Sequence, residues 1–110
     1  MIFVTGAAGF IGSNFVHYLK SQTYDEIVVL DKLTYAGSTD NLNPHTFPIE
    51  IVDIADKKKL ERVFQKYRPR FIFHFAAESH VDNSIEDATP FVETNVTGTL
   101  NLLELSVMYK

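Results

Sequence analysis

The sequence holds 110 residues, 45% of them hydrophobic and 22% charged, with a formal net charge of −4 and no cysteine. That is enough chain for one domain, or part of one, around a small core. The negative balance argues against nucleic acid as the main partner, and the missing cysteines remove disulfides, thiolate nucleophiles and Cys-ligated metals. No apolar run approaches the roughly 18 residues of a membrane span and no basic leader opens the chain, so neither membrane nor export is expected and the cytoplasm is the default location.

The apolar run Ile2–Thr5 reads as a buried strand. It stops at three glycines, Gly6, Gly9 and Gly12, and an amphipathic stretch with Ile11, Phe15, Val16 and Leu19 on one face begins at once. A strand that turns through glycines into a helix lets the backbone approach a pyrophosphate, which the free N–H groups of the first helical turn then attract. The spacing G-x-x-G-x-x-G differs from the G-x-G-x-x-G of many dehydrogenases. A glycine turn that serves strand–helix packing alone is the competing reading.

Further strands are expected at Ile27–Leu30, Ile49–Val52 and Phe71–Phe75, runs rich in Ile, Val and Phe without polar alternation, as in a parallel sheet buried on both faces. Asp31 ends the second, about 20 residues beyond the last glycine, where an acid accepts hydrogen bonds from an adenosine ribose and repels a 2′-phosphate, favouring NAD over NADP. Lys32 beside it argues the other way, toward NADP, or reads as a solvated surface charge. The segment from Tyr35 to Pro48 reads as loop. Asp53-Ile54 ends the third strand at the crevice where ligands of open α/β sheets sit; Asp53 suits an adenine amino group or a turn near a helix start, and Ile54 suits the ring.

Leu60, Val63, Phe64 and Tyr67 share one face of a second helix, with Asp56 as cap and Pro69 as stop. The fourth strand ends in Phe75-Ala76-Ala77-Glu78-Ser79-His80, whose alanines leave room for a ligand and equally suit helix packing. His17, His45, His74 and His80 show no metal-ligand spacing, and no metal is expected. A third helix starts near Thr89-Pro90, with Thr89 as cap and an apolar stripe of Val92, Val96, Leu100 and Leu103. Thr94 on it faces a cofactor or bonds back to its own helix. The fold class is α/β, a three-layer Rossmann-type parallel sheet of which these four strands form the N-terminal portion.

Thr5-Gly-Ala-Ala-Gly-Phe-Ile-Gly12, Asp31-Lys-Leu-Thr-Tyr-Ala-Gly37, Asp53-Ile54, Phe75-Ala-Ala-Glu-Ser-His-Val-Asp82 and Thr94-Asn-Val-Thr-Gly98 follow one another in order. Together they resemble the N-terminal part of the extended short-chain dehydrogenase/reductase family and, within it, the dTDP-glucose 4,6-dehydratases of deoxysugar biosynthesis. The likeness spans nearly all 110 residues but only about the first third of such an enzyme.

The resemblance implies backbone N–H groups of Phe10 and Ile11 on the pyrophosphate of NAD, Asp31 on the ribose, and Lys32, Leu33, Thr34 and Gly37 beside it. It puts Asp53 and Ile54 at the adenine, Phe75, Ala76, Ala77 and Ser79 beside the nicotinamide half, and Thr94 at the cofactor. Ser79, His80, Val81, Asn83 and Ser84 then reach toward a dTDP-sugar. Position 83 is Asn where members of the family often carry Arg, and the loop from Ser38 to Pro48 is short for the family.

The activity implied is an internal redox cycle in which hydride leaves C4 of the hexose for NAD, water is eliminated across C5–C6, and the hydride returns to C6. Its base is the Tyr of a Tyr-x-x-x-Lys helix. Here Tyr18, Tyr24, Tyr35 and Tyr67 are followed four residues later by Gln22, Val28, Thr39 and Phe71, and Tyr109 only by Lys110. Residues 1–110 are therefore expected to form an incomplete NAD-binding unit without a catalytic residue, the base and the sugar-nucleotide domain lying outside them. A helix over Asn95–Tyr109 is implied to pair two copies. A UDP-hexose 4-epimerase, a GDP-mannose dehydratase and a non-catalytic nucleotide-binding module are the alternatives. A methyltransferase using S-adenosylmethionine fits less well, and P-loop phosphoryl transfer is excluded by the lack of Gly-Lys-Ser/Thr.

Overall fold

The computed structural model describes residues 1–33, 42, 46–77 and 87–110. The elements run β1 (Ile2–Thr5), α1 (Phe10–Gln22), β2 (Ile27–Asp31), β3 (Ile49–Ile51), α2 (Lys57–Tyr67), β4 (Phe71–His74), α3 (Thr89–Val92), a π-helical segment Glu93–Gly98, and α4 (Thr99–Met108). The four strands are parallel in the order β3-β2-β1-β4. Ile2 stands opposite Ile27 on one side and Phe71 on the other. Since all strands run the same way, every strand's carboxyl end reaches one edge of the sheet.

Alternation along the strands splits the core in two. Ile2, Val4, Ile27 and Val29 face α1 and pack with Ala7, Ala8, Val16, Leu42 and Phe47. Phe3, Val28 and Leu30 face the other way, onto Leu60, Val63 and Phe64 of α2 and Leu102 and Leu105 of α4. The Phe3 and Phe64 rings meet edge to face at 5.2 Å. The expected three-layer Rossmann-type arrangement is thus formed, with α1 on one face and α2 and α4 on the other.

Burial on both faces holds for β1 and β2 only. β3 and β4 border the described sheet and are half-buried or exposed; Phe71 and Phe73 are 52% and 37% exposed. The caps follow sequence chemistry for α2. Asp56 accepts from the Lys59 N–H, and Arg68, in the left-handed region at φ 51°, donates its N–H to Phe64 ahead of Pro69.

The third helix departs from expectation at its cap, and its apolar stripe takes one of the two faces left open. Thr89 is its first residue rather than its cap, and the Thr89 N–H donates to the Asp87 carboxylate instead. The stripe of Val92, Val96, Leu100 and Leu103, which suits the core or a second copy equally, faces outward. Thr94, Gly98, Asn101, Leu102 and Leu105 face in: Gly98 leaves room for Ile54, Asn101 reaches the Ile54 carbonyl, and Leu102 and Leu105 join the core around Phe3 and Phe64. Ile11, assigned to the apolar face of α1, is 68% exposed, since it lies in the helix's first turn, past the end of the sheet.

Candidate functional site

Gly6 takes the left-handed conformation, φ 69°, which L side chains rarely adopt, and a Cβ there would lie 2.5 Å from the Ala76 nitrogen. The turn therefore closes directly onto the chain leaving β4. A Cβ on Gly12 would meet the Gly6 carbonyl oxygen at 2.2 Å, so glycine alone lets α1 start this close to the turn. Gly9 stands at the N-cap position and no side chain caps the helix. Phe10 and Ile11 follow with outward, exposed side chains.

Asp31 at the end of β2 accepts from the Ala8 N–H at 3.0 Å with Oδ2 and from the Leu33 N–H at 2.8 Å with Oδ1. One carboxylate so joins the glycine turn to the turn after β2, where Leu33 sits at φ 56°. Lys32 is not a lone surface charge: its Nζ stands 4.0 Å from Oδ2 of Asp53. Asp53 also accepts from the Ala55 N–H at 2.9 Å, shaping the turn into α2. The side chain of Ile54 is buried at 4% exposure against Gly98, whose Cα leaves it room, and its carbonyl accepts from Asn101 Nδ2 at 2.8 Å.

Phe75, Ala76 and Ala77 leave β4 beside the glycine turn, half-buried to exposed. Thr94 is buried at 5% exposure in the π segment. Thr34, Gly37, Ser79, His80, Val81, Asn83 and Ser84 lie outside the described residues. Among the described residues no cluster of His, Asp or Glu is arranged to hold a metal, and no helix is long and apolar enough to cross a membrane.

The structure thus brings the glycine turn, Asp31, Asp53-Ile54 and Phe75–Ala77 to one rim. Sequence reasoning left His74 between a structural and a catalytic role and did not single out Thr5, Thr99 or Asn101; these four tie that rim together. The Thr5 hydroxyl accepts from the N–H groups of Phe75 and Ala76 at 3.1 and 3.2 Å and meets His74 Nδ1 at 2.6 Å. His74 Nε2 meets Thr99 Oγ1 at 3.0 Å. Hydroxyls and imidazole inside apolar runs were the available signal, since a polar group at such a position requires a partner.

A family profile for GDP-mannose 4,6-dehydratases matches residues 3–110. The chain is 50% identical to a dTDP-glucose 4,6-dehydratase of Neisseria meningitidis serogroup B over 98% of its length and 32% of that protein's. It is 46% identical to one of Haemophilus influenzae over 98% and 33%. Among solved structures it superposes with TM-score 0.90 on the UDP-glucose 4-epimerase of Thermus thermophilus in complex with NAD, at 41% identity over 98% of this chain and 34% of that one. On a dTDP-glucose 4,6-dehydratase from Streptomyces venezuelae with NAD bound, the TM-score is 0.88 at 45% identity, over 98% and 36%. The chain spans about a third of the length of the curated relatives it matches.

Proposed function

Because the chain belongs to the GDP-mannose 4,6-dehydratase family, we propose that it forms the NAD-holding part of a sugar-nucleotide dehydratase acting on dTDP-glucose. The observation that carries this reading is Asp31 bonded to the backbone of an uncapped glycine turn. A carboxylate and a row of free helix-end amides at that spacing fit the two halves of an adenosine diphosphate.

In this reading Phe10 and Ile11 turn backbone N–H groups toward the diphosphate, and Gly6, Gly9 and Gly12 allow the approach. Asp31 keeps one lone pair of each oxygen for the turn and offers the others to the ribose hydroxyls, with Lys32 and Leu33 alongside and Thr34 and Gly37 assigned to the same side. Asp53 takes the adenine amino group. The side chain of Ile54 is committed to the core, so its part falls to its backbone. Phe75, Ala76, Ala77, Ser79 and Thr94 border the nicotinamide half, and Ser79, His80, Val81, Asn83 and Ser84 the dTDP-sugar.

NAD, when bound, supplies a hydride acceptor. These residues bind and orient it, and no group among them stands as the Tyr-Lys base of the reaction. The unit is the incomplete domain of a cytoplasmic enzyme, and two copies pair through the outward stripe Val92, Val96, Leu100, Leu103 and Val107, each more than half exposed. The likeness to NAD-bound UDP-glucose 4-epimerase supports a second reading, an epimerase on UDP-hexose.

Calorimetric titration with NAD tests the central claim. Micromolar binding that is lost in Asp31→Ala, with dTDP-glucose left unconverted by the 110 residues, is the expected result. No NAD binding by the folded wild-type chain overturns it in favour of a scaffold module. Thermal shifts of a longer protein containing this unit with dTDP-glucose, UDP-glucose and GDP-mannose separate the substrates.

A further inference from the structure

Ile54 is held twice from the last two helical segments. A Cβ on Gly98 would lie 2.5 Å from Ile54 Cγ1, so glycine there gives the Ile54 side chain, 4% exposed, its room. Three residues on, the buried Asn101 donates from Nδ2 to the Ile54 carbonyl at 2.8 Å. A carbonyl can only accept, so the NH₂ of the Asn101 amide is the group that faces it. The same peptide unit is held at its other end. Its N–H belongs to Ala55 and donates to Asp53 Oδ1 at 2.9 Å. A peptide is planar and trans, so its C=O and N–H point in opposite directions, and fixing one fixes the other. A line of contact thus runs from α4 through the Ile54–Ala55 peptide to the carboxylate of Asp53. With Oδ1 committed to Ala55, Oδ2 is the oxygen left for other partners; Lys32 Nζ stands 4.0 Å from it and the Asp53 side chain is 42% exposed.

We propose that Asn101 is a positioning residue for the adenine end of the site: by holding the Ile54–Ala55 peptide it aims the carboxylate of Asp53. The turn itself does not depend on Asn101. The Asp56 N–H donates to the Asp53 carbonyl at 2.9 Å, and that bond closes the turn whatever the tilt of the peptide inside it. Asn101 supplies the tilt. Without it the Ile54 carbonyl is buried and unpaired, a costly state for a backbone group. Relief comes by rotating the peptide toward water, and the rotation carries the Ala55 N–H off Oδ1. Asp53 then spreads over its side-chain rotamers, and a ligand that needs one of them meets the carboxylate in the right place less often. The proposal rests on the NAD reading for the identity of the group that Oδ2 meets; the hold of Asn101 on Asp53 does not.

The test has a ligand-free arm and a ligand arm. On the NAD-free chain of 110 residues, scalar coupling across the hydrogen bond between Asn101 Nδ2 and the Ile54 carbonyl carbon is expected, and its absence overturns the proposal with no variant needed. Asn101→Leu, of similar size and without a donor, speeds exchange of the Ala55 amide about tenfold, the value of one ordinary hydrogen bond, as Asp53→Ala does directly. Asn101→Ala gives the same reading should the leucine variant not fold. An unchanged Ala55 rate overturns the proposal.

Calorimetry with NAD and with nicotinamide hypoxanthine dinucleotide, whose purine carries an oxo group in place of the amino group, reads the aim of Asp53. The wild-type chain is expected to prefer NAD about tenfold, and the preference falls to about unity in Asp53→Ala and by about threefold or more in Asn101→Leu. A merely structural role lowers both affinities alike and leaves their ratio, as Leu105→Ala does on the same buried face of α4. An unmoved ratio in the Asn101 variants therefore overturns the positioning role, and so does a wild-type chain that binds both dinucleotides equally. No NAD binding by the wild-type chain, with the Ala55 rates as stated, defeats the cofactor reading and leaves the hold on Asp53 standing.

Discussion

Replacing Gly12 with alanine tests how far the cofactor reading depends on a backbone distance. The added Cβ would lie 2.2 Å from the Gly6 oxygen, where ordinary contact begins at 3.4 Å, so the two must separate by about 1.2 Å. Both neighbours are backbone, and no side-chain rotation relieves the clash. Shared equally, the shift moves the start of α1 by about 0.6 Å, which takes a hydrogen bond of about 2.9 Å to the 3.5 Å limit. Amides that donate to a charged diphosphate are each worth about 1.5–3 kcal/mol. Weakening the pair at Phe10 and Ile11 lowers NAD affinity about tenfold to a hundredfold. The same overpacking costs about 1–3 kcal/mol of stability. Val63→Ala, in the α2 cluster on the opposite face, supplies a control of similar stability loss with no reason to alter binding. Calorimetry gives the affinities and urea melts the stabilities. An NAD dissociation constant in Gly12→Ala equal to that of Val63→Ala refutes the argument that α1 must start this close to the turn.

Phe64→Ala empties a site 1% exposed that meets Phe3 at 5.2 Å and Tyr109 at 6.2 Å; a loss of about 3–5 kcal/mol in urea unfolding is expected. Glu50 gives a pH signature. Burial opposes its charge, but hydrogen bonds from Lys66 at 2.9 Å and Tyr67 at 2.8 Å prevail and hold its carboxyl below the ordinary 4.5. Its stabilisation is therefore present above pH 4.5 and lost as pH falls through the lowered value, and acid unfolding of Glu50→Gln lacks that limb. Leu103→Glu, at a position 62% exposed, leaves thermal unfolding of the monomer unaltered within about 0.5 kcal/mol and abolishes any dimer seen by sedimentation; a dimer that persists removes the stripe from the proposed pairing.

Sequence pattern was enough to place β1, β2 and α2, where a continuous apolar run or an uninterrupted 3.6-residue period leaves one solution. It named the rim residues Gly6, Gly12, Asp31 and Asp53, because a turn glycine and a strand-end acid are read from local chemistry. It left the last helix open, where the amphipathic stripe of Val92, Val96, Leu100 and Leu103 suits the core or a second copy, and the structure turns it outward. Periodicity reports that a face is apolar and not which surface meets it; the inward face was chosen by Gly98 fitting under Ile54 and Asn101 reaching the Ile54 carbonyl. The role of His74 was equally hidden, since its partners Thr5 and Thr99 stand 69 and 25 residues away. Asp31 was foreseen as a ligand contact but not as the bond that anchors Ala8, a link only three-dimensional register reveals.

The position of β1 at the middle of the sheet bears on how a ribosome can deliver this molecule. β1 acquires one neighbour when Ile27 emerges and the second only with Phe71, 44 residues later. At about 5–20 residues per second that interval lasts some seconds. Throughout it Ile2–Thr5 offers one open flank, and the nascent chain must wait for its own later portion before this strand is sealed.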